Sequence, residues 1–132
     1  MPNGLYAMFP REKNERGEGL LSFPGGKLEP MEGIKTCAIR ELKEEIGVDV
    51  DPNHLECVTF TSALRGETTY VFNLFQASAW TGKMSNEKYL AFVDPFNFDP
   101  SRLTYADRIL MHNLKVWEMK TMSCFEDDWK VY

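Results

Sequence analysis

At 132 residues, 43% hydrophobic and 27% charged, the chain reads as a single domain spanning 1–132 with enough apolar side chains for a real core. A net charge of −5 excludes broad nucleic-acid or membrane-surface binding through a basic patch. Cys37, Cys57 and Cys124 are too few and too scattered for a disulfide framework or a metal pattern, and no apolar run reaches membrane-spanning length; both point to a reducing cytoplasm.

In chain order, Leu5 to Phe9 reads as a strand closed by Pro10. Arg11 to Gly19 is charged and reads as a loop, either a cover for a neighbouring site or a solvated connection. Leu20, Leu21 and Phe23 form a short strand leading into the turn Pro24-Gly25-Gly26. A helix is expected from about Met31 or Gly33 to Ile46, because Ile34, Ala38, Leu42 and Ile46 recur every fourth residue; Gly47 stops it. A turn surrounds Asp51-Pro52. Leu55–Leu64 and Thr68–Ala77 make a hairpin across Arg65-Gly66-Glu67. Tyr70, Phe72, Leu74 and Gln76 fall on one face of its second strand, and Val71, Asn73 and Phe75 on the other. Apolar residues on both faces predict a sheet covered on both sides.

A turn at Trp80–Lys83 precedes a strand over Tyr89 to Val93 and an aromatic loop over Pro95 to Pro100. The second helix is expected from about Thr104 to Met119, with Ala106, Ile109, Leu110, Leu114 and Trp117 buried. Thr104 caps its start, and Asp107 is a first-turn acid favoured by the helix dipole. The tail from Thr121 to Tyr132 carries Phe125, Trp129, Val131 and Tyr132. It is too apolar to be free, and is expected to pack on the domain or on a second subunit. His54 and His112 are read as structural or exposed.

The chemistry lies in the first helix. Helical spacing brings Glu41, Glu44 and Glu45 to one side, flanking the apolar stripe. Like charges so placed repel by about 0.2–0.5 kcal/mol per pair. Divalent Mg²⁺ or Mn²⁺, which prefer hard oxygen ligands, would reverse that repulsion. Arg40 lies eight residues after Glu32, a little over two turns, so the two can pair and orient the acids. Gly25 and Gly26 let the backbone pass close to the acids, and the Gly25 carbonyl is a further candidate ligand.

Gly26, Glu32, Arg40, Glu41, Leu42, Glu44, Glu45, Gly47 and Val48 together resemble the signature of the Nudix hydrolase family, G-x5-E-x7-R-E-U-x-E-E-x-G-U, where U is a bulky aliphatic. The match covers every fixed position over twenty-three residues. The resemblance implies an α/β/α sandwich with a mixed β-sheet between helices. It implies hydrolysis of a nucleoside diphosphate linked to another moiety, with Mg²⁺ or Mn²⁺ as cofactor. It assigns metal to Glu41, Glu44 and Glu45, and an orienting role to Glu32 and Arg40. Glu87, in the loop before the strand at 89–93, stands where family members often carry a further ligand or the general base; Phe92 replaces the Trp many have five residues on.

Proton removal from water is therefore expected of Glu44 or another acid of the trio, or of Glu87. Gly26, Lys27, Phe96, Tyr105 and Asp107 are the candidates for substrate contact, Asp107 by reading a purine edge as in some family members. The compact chain suits a nucleoside triphosphate pyrophosphohydrolase of the nucleotide-sanitising type. Nucleotide sugars, ADP-ribose, dinucleoside polyphosphates and coenzyme A are alternative substrates, and Leu64, flanked by Ala63 and Arg65, carries neither the Pro nor the Tyr that marks two of these. A nucleotide sensor without turnover and an RNA decapping protein are readings from other classes. The acidic balance counts against the last. A homodimer is compatible with the sequence.

Overall fold

The computed structural model describes residues 6–11, 19–85 and 90–126, with the backbone alone for 119–126. Leu5, the loop 12–18, Glu87, Tyr89 and the tail 127–132 lie outside the described residues.

Among the described residues, two small sheets and two helices make the fold. Strand β1 (Tyr6–Pro10) pairs antiparallel with β2 (Leu21–Ser22) and with β5 (Ala91–Val93), in the order β2-β1-β5. Strands β3 (Leu55–Arg65) and β4 (Thr68–Ala77) form the expected hairpin. The named strands are all antiparallel, and a parallel bridge between Leu21 and Leu103 gives the mixed character. Helix α1 spans Ile34–Glu45 and helix α2 spans Tyr105–Glu126. The fold is therefore of the α+β class, with the helices on either side of the hairpin's base.

Gly47 stops α1 as its position suggests. It adopts φ +84°, and its N–H reaches back to the carbonyls of Leu42 and Lys43. Helix α2 runs seven residues beyond the expected Met119, so residues 121–126 are helix rather than tail. Neither Gly nor Pro follows Met119 to end it.

The hairpin base divides the core in two. Leu74 packs with Tyr6, Met8, Leu103, Met111, Leu114 and Trp117 on the α2 side. Phe75 and Ala77 pack with Leu42, Ile46, Val48 and Leu55 on the α1 side. Both sheet faces are covered there, as expected. Further out the expectation fails: Phe60, Leu64 and Val71 are 68%, 72% and 62% exposed. They share one face, since Ser62 pairs with Val71 and Leu64 with Thr69. The hairpin is simply longer than the α1 that covers it. The α1 stripe needs a matching correction. Ile46 is buried and Ala38 and Leu42 partly so, but Ile34 is 46% exposed because the first turn overhangs the sheet.

Candidate active site

Arg40 is the hub of the acidic face. Its Nε and Nη2 donate to the two oxygens of Glu32 at 2.7 and 2.9 Å, a two-pronged pair across the two turns predicted. Nη1 donates to Glu41 at 2.9 Å and to Glu44 at 3.1 Å, and Nη2 also reaches the Lys27 carbonyl at 3.1 Å. One guanidinium thus ties the loop, the first acid and two of the trio together. Glu32 also accepts from the Glu29 N–H. Held first by Arg40 and then by that N–H, its carboxyl titrates at about 2. The same pairing pushes Arg40 upward.

The glycine loop is pressed against this face. A Cβ on Gly26 would stand 2.1 Å from Glu41 Oε1, so the Glu41 carboxylate would have to swing aside to admit it. Next to it, the Gly25 N–H donates to Glu45 Oε2 at 3.0 Å. Cys37, buried in α1, holds the loop from below, its Sγ 3.8 and 3.7 Å from the Gly26 and Lys27 carbonyls. Burial, then Glu32, push its thiol upward. Sequence reading passed over Cys37, although its place three residues before Arg40 sets it on Arg40's side of the helix.

A cavity of about 1340 Å³ opens beside the acids. Glu41, Gly25, Gly26 and Lys27 line one end of it. Arg65, Tyr70, Phe72, Tyr105 and Asp107 also line it. The Arg65 guanidinium lies 5.3 Å from the Tyr70 ring and 5.8 Å from that of Phe72, and those two rings stack at 6.5 Å. Sequence reading left Arg65 as part of a turn. The two-residue connection Gly66-Glu67 sets the register that brings it beside Tyr70. Phe96 is 55% exposed and is not among the lining residues, so it is not brought to the cleft. Asp107 is mostly buried, accepting from the Thr104 hydroxyl and from the Phe23 N–H. Desolvation pushes its carboxyl up, against the pull of those two donors and Arg11.

A NUDIX domain family model matches residues 7–109 of this chain. The chain belongs to the Nudix family. It is 31% identical to an 8-oxo-dGTP diphosphatase of Proteus vulgaris over 72 residues, 53% of this chain. That match spans 61% of the length of the Proteus protein. The fold is similar to the solution structure of the E. coli ORF135 protein, with a TM-score of 0.74 at 22% identity over 88% of this chain and 83% of that one. It is also similar to a MutT NUDIX hydrolase from Burkholderia pseudomallei, with a TM-score of 0.70 at 22% identity over 84% and 88% of the two chains. No helix among the described residues is long and apolar enough to cross a membrane.

The Nudix signature implies divalent metal. Among the described residues, no three acids close on one point as a finished metal site. The trio shares a flank of α1, but Arg40 stands between Glu41 and Glu44, and Glu45 turns to Gly25. The donor chemistry fits nonetheless. All the side chains are hard carboxylates, and the side-chain-free backbone at Gly26 leaves a cradle against Glu41 that a Cβ would fill.

Proposed function

We propose that this Nudix protein is a Mg²⁺- or Mn²⁺-dependent pyrophosphohydrolase acting on nucleoside triphosphates, of the type that clears damaged nucleotides. The observation that carries this reading is the Arg40 network, which holds Glu32, Glu41 and Glu44 together beside a large cleft. Likeness over part of its length to an 8-oxo-dGTP diphosphatase supports the choice of nucleotide class.

Glu41, Glu44, Glu45 and the Gly25 carbonyl would hold the cation. When bound, it neutralises the diphosphate bridge and acidifies a water. The rest falls to the chain itself. Glu44 would take the proton from the attacking water; that its side chain is 57% exposed against 13% for Glu41 supports this choice. Glu87 is the other base candidate. Lys27, at the cleft wall beside the acids, offers a cation to the phosphates. Arg40 and Glu32 fix the carboxylates before substrate arrives, so little reorganisation is left for the reaction. On the base side, exposed Tyr105 offers a stacking ring.

A screen of nucleoside triphosphates, 8-oxo-dGTP, nucleotide sugars, ADP-ribose, dinucleoside polyphosphates and coenzyme A with Mg²⁺, read by released phosphate or pyrophosphate, tests the substrate. Release from triphosphates is expected to dominate. Glu44→Gln and Glu45→Gln, made singly, are expected to lower turnover by about a hundredfold or more while the melting temperature is kept. Near-normal turnover in both refutes the mechanism, and saturable binding with no product would make the chain a sensor.

A further inference from the structure

The segment Phe23-Pro24-Gly25 leads into the glycine loop, and Pro24 has no N–H to give. Its two backbone donors go to carboxylates on different helices. Gly25 N–H donates to Glu45 of α1 at 3.0 Å, and Phe23 N–H donates over a long 3.5 Å to Asp107 of α2. Asp107 is itself held by the Thr104 hydroxyl, and Thr104 is tied to β2, just ahead of the loop, by its N–H to the Leu21 carbonyl at 3.1 Å. The loop is thus gripped from both sides of the cleft.

This matters because the loop lies directly against the acids. With Gly26 already packed on Glu41, a shift of the segment moves Glu41 and the Glu45 partner together. Burying most of a carboxylate is costly unless its hydrogen bonds are satisfied. Both Asp107 oxygens are satisfied by the fold, one by the loop and one by Thr104.

We propose that Asp107 is a positioning residue that sets how the Gly25–Gly26 loop meets Glu41 and Glu45, and through them sets divalent-cation affinity. This rests on the metal-dependent reading above. It differs from a role for Asp107 in reading a base edge, because the effect runs through the loop and is blind to the base.

The experiment compares Asp107→Ala, Asp107→Asn and Thr104→Val with wild type. Mn²⁺ alone is titrated calorimetrically, hydrolysis of dGTP and 8-oxo-dGTP is measured, and thermal melts confirm folding. Asp107→Ala is expected to weaken Mn²⁺ binding by about tenfold and to lower kcat for both nucleotides by the same factor, with the ratio between them kept. Asp107→Asn keeps an oxygen for Phe23 N–H and is expected to recover most of both. Thr104→Val shifts both the same way by about twofold. Unchanged Mn²⁺ affinity in folded Asp107→Ala overturns the proposal. So does a changed nucleotide ratio with Mn²⁺ affinity retained, which would make Asp107 the base reader. If Asp107→Ala does not fold, unchanged Mn²⁺ affinity in Thr104→Val overturns it instead. Normal Mn²⁺ titrations without hydrolysis of any nucleotide would sink the hydrolase reading and leave the positioning role standing.

Discussion

The loop and helix around Arg40 and the outer half of the β3–β4 hairpin both border the cleft, yet they are built on opposite terms. Around Arg40 nearly every polar atom has a partner: Glu32, Glu41, Glu44 and the Lys27 carbonyl share one guanidinium, and the glycine loop touches Glu41. The outer hairpin shows solvent Phe60, Leu64 and Val71, and its cleft-lining contact is a soft stack of Arg65 on two rings. A tightly bonded region resists small displacements, whereas rings and a guanidinium can re-pack around different shapes. We propose that the chemistry belongs to the first and the choice of substrate to the second.

Changes in the two regions should therefore show in different kinetic constants. Gly26→Ala strikes the tight region by pushing the Glu41 carboxylate away from Arg40, and kcat is expected to fall by about a hundredfold in a folded protein. Full activity in that variant would mean the loop is looser than its contacts imply. Tyr70→Ala strikes the adaptable region. It is expected to raise KM by about threefold, with kcat held and the ranking of nucleotides altered, as steady-state kinetics across a panel would reveal. Equal losses of kcat in both variants would erase the division.

The tight region also carries a pH signature. The Glu32 carboxyl is depressed from an ordinary 4.5 to about 2, so the charged form is favoured by folding. Its stabilising effect is complete above about pH 4.5 and disappears as pH falls through about 2. Denaturant melts of wild type and Glu32→Gln are expected to converge over that window and to stay apart above it. The smallest effect is a gain. Met31 follows Pro30 in a turn closed by Glu32 N–H to the Glu29 carbonyl, and sits at φ +65° with its side chain in solvent. Met31→Gly is expected to stabilise by about 0.5 kcal/mol, the left-handed cost less the entropy of the added glycine, measured by urea unfolding.

Much of this was legible before any coordinates. The α1 limits, the Gly47 stop, the Arg40–Glu32 reach and the hairpin follow from spacing, because each is local in sequence. What escaped was long-range or set by length. That Asp107 would meet the Phe23 N–H depends on how α2 docks, eighty-four residues away. That Ile34, Phe60 and Val71 stay exposed depends on an α1 of only 12 residues covering an 11-residue strand at its base alone. The trio's shared flank was predictable from helical pitch, but the interposed guanidinium was not, since Arg40 can swing toward any of several acids.

The hairpin pairs Cys57 with Phe75 and Thr59 with Leu74, so Val58 is one residue more than its partner strand supplies. The bulge absorbs that surplus, and Thr59 to Arg65 take their facing from their partners Leu74 to Thr68. Deleting Val58 would make Cys57–Phe75 and Thr59–Leu74 consecutive pairs, straightening the strand while Arg65 and Ala63 stay beside the rings of β4. A lineage carrying this scaffold could thus lose that codon while keeping the same residues on the cavity wall and the acid-bearing helix untouched.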